Sequence, residues 1–60
     1  MKRMSGFEIK FTTDNDAFKE NPQDEVIRIL QDVAIRISEG KIDGYIYDVN
    51  GNKVGYWLYT

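Results

Sequence analysis

From Phe7 to Thr12 the apolar residues Phe7, Ile9 and Phe11 alternate with Glu8, Lys10 and Thr12, the period of a strand with one buried face. Thr13-Asp14-Asn15-Asp16 then ends it, because short polar side chains that hydrogen-bond their own backbone favour turns. Ala17-Phe18-Lys19-Glu20 is expected to add a short helical turn with Phe18 tucked under the connection. A new period starts at Asn21-Pro22-Gln23-Asp24, which offers an N-cap side chain, proline at the first helical position and carboxylates in the first turn. The helix is predicted from Pro22 to about Glu39, with Gly40 taking the left-handed conformation just past its end. Val26, Leu30, Val33 and Ile37 form its core-facing stripe, flanked by Ile27, Ile29 and Ala34. Asp24 with Arg28, and Asp32 with Arg36, stand four apart with the acid first, the favourable order on a solvated side. Ile35 projects opposite the stripe, where a monomer would rather place a polar residue.

Two further β-rich runs, Ile42 to Val49 and Lys53 to Tyr59, are joined through Asn50-Gly51, a strong hairpin signal because both residues tolerate positive φ. A two-residue turn sets Asp48 opposite Lys53, Ile46 opposite Gly55, Gly44 opposite Trp57 and Ile42 opposite Tyr59 on one side. On the other side it pairs Tyr47 with Val54, Tyr45 with Tyr56 and Asp43 with Leu58. A three-residue turn through Asn52 would shift this pairing by one. The order β-α-β-β predicts a single α+β domain, a three-stranded, mainly antiparallel sheet with one helix on one face. Tyrosines and tryptophan fall on both sheet faces, so the second face needs a cover.

Composition narrows the function. The 60 residues contain no cysteine and no histidine, which excludes a disulfide staple and the usual zinc clusters. So short a chain makes a marginal core, and the staple that remains is a second subunit. Asp48-Val49-Asn50-Gly51-Asn52 starts like a calcium loop, but Lys53 and Tyr59 stand where glycine and the bidentate glutamate belong. Asp14 and Asp16 lack a third acid at a helpful spacing, no phosphate-loop glycine pattern occurs, and nothing clusters a base with Ser5, Ser38 or the threonines. The expectation is therefore a non-enzyme without metal or cofactor. No apolar run approaches the roughly 20 residues of a membrane span, and no hydrophobic stretch of a signal peptide follows the basic start, so a cytoplasmic protein is expected. Met4 is as good a start as Met1, which would make Met1 to Arg3 a disordered or optional tag, and residues 1–5 are expected to be disordered.

The net charge of -2 is uneven: residues 1–12 carry Lys2, Arg3 and Lys10 against Glu8, whereas 13–25 carry Asp14, Asp16, Glu20, Asp24 and Glu25 against Lys19. The acids complement the positive end of the helix and also form a candidate surface for a basic partner. An acidic chain lacks the basic face on which phosphate contacts depend, so nucleic acid is an unfavoured partner, although Tyr45, Tyr47 and Tyr56 could stack bases.

Phe7 to Phe18, Glu25 to Leu30 and Asp48 to Trp57 together resemble a group of very short proteins encoded in bacteriophage and prophage genomes. Its members pair a T-D-N-x-A-F segment, here Thr13 to Phe18 behind an extra Thr12, with a D-x-N-G-N-x-V-G hairpin, here Asp48 to Gly55. Most members have no assigned role. The resemblance implies a phage-derived protein acting stoichiometrically on a host protein, in the manner of small inhibitors of bacterial antiviral defence, and brings no catalytic residue with it. The alternative is a nucleic-acid-associated phage regulator using the aromatic sheet or the Lys2, Arg3 and Lys10 end. A homodimer is expected as well, through Trp57, Tyr59 and Ile46 if the helix covers the face of Tyr45, Tyr47 and Val54, or through Tyr45, Tyr47 and Tyr56 in the reverse arrangement, with Ile35 as a further candidate contact.

Overall fold

A computed structural model describes residues 5–60; the expectations for Met1 to Met4, Lys2 and Arg3 among them, lie outside the described residues. The elements are β1 (Phe7–Phe11), a 3-10 turn (Asp16–Phe18), α1 (Pro22–Ser38), β2 (Asp43–Tyr47) and β3 (Lys53–Tyr59). The strands form one antiparallel sheet in the order β1-β3-β2, with α1 across one face. This is the β-α-β-β, α+β fold that the periodicities predict. Ser5 donates its N–H to the Thr60 carbonyl, and Thr60 donates to Gly6, so the ladder runs on past β1.

The ends of α1 follow from their residues. The Asp24 N–H donates to Asn21 Oδ1 at 3.4 Å, and Pro22 stands at the first helical position. At the other end Gly40 takes φ of 91°, and the N–H groups of Gly40 and Lys41 donate to the carbonyls of Ile37 and Arg36. That pair of bonds satisfies carbonyls the helix leaves orphaned. Among the described residues no helix is long and apolar enough to cross a membrane.

α1 covers the face of Trp57 and Ile46, not that of Tyr45 and Tyr47. Trp57, Ile46, Ile29, Val33, Phe18 and Val54 form the buried core, with Ile9, Phe11, Ala17, Val26 and Ile37 against it. Trp57 and Ile46, expected as interface residues had the helix covered the tyrosines, are only 1% and 3% exposed and lie beneath the helix. What decides the face is Val54, which a bulge turns inward to join Trp57 and Ile46. Gly44 and Gly55 sit opposite Trp57 and Ile46 in the sheet, and a Cβ on Gly44 would stand 2.8 Å from the indole Nε1. The helix-facing layer is thus built from large side chains seated beside missing ones.

Two details of register also differ. The hairpin turn closes with Asp48 N–H to Asn52 O and Gly51 N–H to Asp48 O, a three-residue connection. Pairing at the tip is accordingly shifted by one, with Tyr47 opposite Lys53. A bulge between Ile46 and Tyr47 on one side, and at Val54 on the other, absorbs the shift, so that Ile46 to Asp43 keep the partners of a two-residue turn. The bulge also explains why Val54 is buried in the core although simple alternation places it with Tyr45 and Tyr47. Asp48 and Val49 belong to the turn, and β2 is shorter than predicted at both ends.

Only Gly51, with φ of 85°, is left-handed at the tip; Asn50 is not, contrary to expectation. A Cβ at Gly51 would meet no atom within 4 Å, so the cost of a side chain there is conformational. Gly51→Val should destabilise the fold by about 1 kcal/mol or more, and Gly51→Asn by much less, since asparagine tolerates this region. Urea unfolding of the two variants measures the difference; equal midpoints would contradict it.

Candidate interaction surfaces

The two motif segments meet in one polar cluster. Asn15 Nδ2 donates to Asp48 Oδ2 at 3.0 Å, and Asp48 Oδ1 accepts from the N–H groups of Asn50 and Asn52 at 3.0 and 2.9 Å. Asn52 Nδ2 adds a bond to Oδ2. Both carboxylate oxygens are thereby used by donors of the turn and the neighbouring loop, the chemistry of a structural knot and not of a cation cradle. Glu25 is the second member. It accepts a forked pair from Arg28 at 2.8 and 3.1 Å and the Val49 N–H at 2.8 Å, while Arg28 also donates to the Tyr47 carbonyl at 3.0 Å. The start of α1 is thus bolted to the hairpin.

This overturns two expectations. Arg28 pairs with Glu25, not Asp24, which instead accepts from Asn21 Nδ2. Glu25 is 7% exposed and turned inward, so it leaves the acidic surface. Because Glu25 and Ile29 point at the sheet, α1 is rolled relative to the predicted stripe, and Leu30 and Ile27 are left 46% and 52% exposed. The Asp32–Arg36 pair forms as expected, at 2.9 Å.

The cluster has an acid signature. Hydrogen bonds from Arg28 hold the Glu25 carboxyl below the usual carboxylate range against the opposing effect of burial, helped by the Val49 N–H. Burial pushes Asp48 up, but the bonds from Asn15, Asn52 and Asn50 together outweigh it and its carboxyl is also lowered. Groups lowered in the folded state contribute stability that is present above the unfolded pKa, about 4 for carboxylates, and is lost as pH falls through the folded values. Thermal melts should therefore be insensitive to pH from neutrality to the ordinary carboxylate range and fall steeply below it. Glu25→Gln should lower the melting point at neutral pH and make the acid fall shallower; an unchanged acid profile would refute this role.

Among the described residues nothing covers the face of the sheet away from α1. In register that face carries Glu8, Leu58 and Asp43, then Lys10, Tyr56 and Tyr45, then Lys53 and Tyr47. Tyr45, Tyr47 and Tyr56 are 60%, 47% and 37% exposed. The Tyr56 hydroxyl donates to Glu8 Oε2 at 2.7 Å, which raises its pKa, and Lys53 Nζ lies 4.4 Å from the Tyr45 ring centre. A shallow depression of about 240 Å³ is lined by Asp43, Gly44, Tyr45, Tyr56, Trp57 and Leu58. Tyr59, by contrast, is half-buried and meets Phe7 edge-on at 5.3 Å.

The outer side of α1 is the other apolar surface. Ile35 is exposed there as expected, joined by Ile27, Leu30 and Ala34. Asp24 precedes Ile27 by nearly one turn, and Asp14, Asp16 and Glu20 are exposed before the helix. Asp16 is paired with Lys19 at 3.2 Å. Helical periodicity does not show the exposure of Ile27 and Leu30, because it places Glu25 among the solvated charges while the fold turns it inward. The competing i,i+3 spacing of Glu25 and Arg28 was the available signal. Comparison with protein-family models, curated proteins and solved structures gives no match to this chain.

Proposed function

We propose that the protein is a small protein-binding module, acting stoichiometrically and not by turnover, that meets its target with the outer side of α1. The observation that carries this reading is the surface formed by Ile27, Leu30 and Ile35, three large apolar side chains between 46% and 57% exposed on one short helix, close to Asp24 and the acids that precede it. An apolar patch with acids toward the start of the helix, and with its neighbours Arg28 and Arg36 already paired to Glu25 and Asp32, suits a protein partner whose own apolar patch is bordered by lysine or arginine. With the resemblance to short phage-encoded proteins, the reading extends to a host protein in the bacterial cytoplasm, with inhibition of an antiviral defence system as the role.

The test is capture from host lysate on immobilised wild-type protein and on an Ile27→Lys/Ile35→Lys variant. Both positions are exposed, so the variant should fold. A polypeptide retained by the wild type and lost by the variant is expected; equal retention by both would remove α1 as the contact surface. The second reading, nucleic-acid association, is favoured by the two lysines beside Tyr45 and Tyr56 on the open sheet, and opposed by Glu8 and Asp43 on the same face. A low-salt gel shift that is abolished by moderate salt would promote it.

A further inference from the structure

The open sheet face holds both signs of charge in a fixed order along the strands. Its acids, Glu8 and Asp43, stand in the row farthest from the hairpin turn, and Lys53 stands in the row nearest it, with Lys10, Tyr56 and Tyr45 between. The depression lies between the acidic row and the tyrosine row. Two tyrosine rings, the Leu58 side chain and the Asp43 carboxylate are what a lysine needs: apolar surface for its methylenes, aromatic faces and a carboxylate for its ammonium. Among the described residues Asp43 makes no ion pair.

We propose that the cover of this face is a second copy of the chain, related by a two-fold axis that lies between the two sheets and runs across the strands through the Tyr56–Tyr45 row. Such an axis reverses strand direction. The acidic row of one protomer then lies over the Lys53–Tyr47 row of its partner, and the partner's Lys53 is delivered to the depression beside Asp43. Lys53 in turn leaves its own Tyr45 ring and enters the partner's depression, so the contact is made twice and the tyrosines meet around the axis. The other in-plane axis, along the strands, sets Glu8 over the partner's Asp43 and brings like charges together. The chosen axis sets Lys10 of the middle row over the partner's Lys10, one like-charge contact at the sheet edge, against two Glu8–Asp43 contacts and a Lys53–Lys53 contact for the other axis, so charge order selects the first arrangement. Two sheets facing each other about 10 Å apart leave room for a single layer of interdigitated tyrosines. The face is only three short strands wide, so the association is of the weak, concentration-dependent kind.

Sedimentation equilibrium over a hundredfold range of concentration, with charge-exchanged variants, tests this. The wild-type mass should rise from 7.0 kDa toward twice that value. Asp43→Lys and Lys53→Glu should each remain near the monomer mass while keeping the wild-type circular dichroism spectrum. An equimolar mixture of the two should regain association, because each heterodimer contact then joins opposite charges. A constant monomer mass for the wild type would overturn the proposal. So would dimers that survive both single substitutions, or a mixture that stays monomeric. Ile27→Lys/Ile35→Lys should leave the self-association unchanged, which separates failure here from failure of the α1 target surface.

Discussion

Trp57→Ala is expected to leave the protein unfolded at room temperature. Trp57 is 1% exposed in the central strand, pairing with Ile9 on one side and Gly44 on the other, and is the largest fully buried side chain. Truncating a buried tryptophan costs about 3–5 kcal/mol. A domain of this size has roughly 3–5 kcal/mol in total, so the loss consumes the whole margin. Trp57→Phe should stay folded with a lowered midpoint. Among the described residues the indole Nε1 has no hydrogen-bond partner, so that change sacrifices volume and no bond. Far-UV circular dichroism with urea titration reads both. An alanine variant that melts within a few degrees of the wild type would show that the core does not centre on this ring.

Gly55→Ala should be nearly as damaging, through backbone and not through volume. A Cβ at 55 would fall on the Lys10 carbonyl oxygen and within 2.6 Å of the Phe11 Cα. Neither is the far end of a flexible chain, so β1 must lift from β3. Overpacking typically costs about 1–3 kcal/mol, and here it also breaks the pairing that holds the edge strand. Hydrogen exchange should show β1 amides, together with the Thr12 N–H that donates to the Val54 carbonyl, losing protection before those of β2. Wild-type protection in β1 would mean that the added Cβ is accommodated without opening the β1–β3 pairing.

Much of the fold was legible because it rests on local rules. Alternation marked β1 and β3, the Asn21-Pro22 start and Gly40 stop marked α1, and the glycines opposite Trp57 and Ile46 marked their partners across the hairpin. The choice of covered face was not local. Both faces carry aromatic residues, and what decides between them is that Val54, turned inward by a bulge, joins Trp57 and Ile46 and leaves the tyrosines outside. The bulge arises where a three-residue turn must be reconciled with the register beyond it, which alternation does not encode. Glu25 was misplaced for a related reason. Its inward position depends on the Val49 N–H and on Arg28, which reaches across to the Tyr47 carbonyl, contacts 24 and 19 residues away in the chain. The Asn15–Asp48 bond, 33 residues apart, is what joins the two motifs, and neither segment announces it alone.

Chemical footprinting of tyrosine and tryptophan in dilute and concentrated protein tests at once which sheet face is open and whether it becomes covered. In dilute solution Tyr45 and Tyr47 should react fastest, Tyr56 more slowly and Trp57 least; on concentration Tyr45 and Tyr56 should become protected while Trp57 stays unchanged. Trp57 reacting as fast as Tyr45 in dilute protein, or Tyr45 reacting equally at both concentrations, would contradict this arrangement.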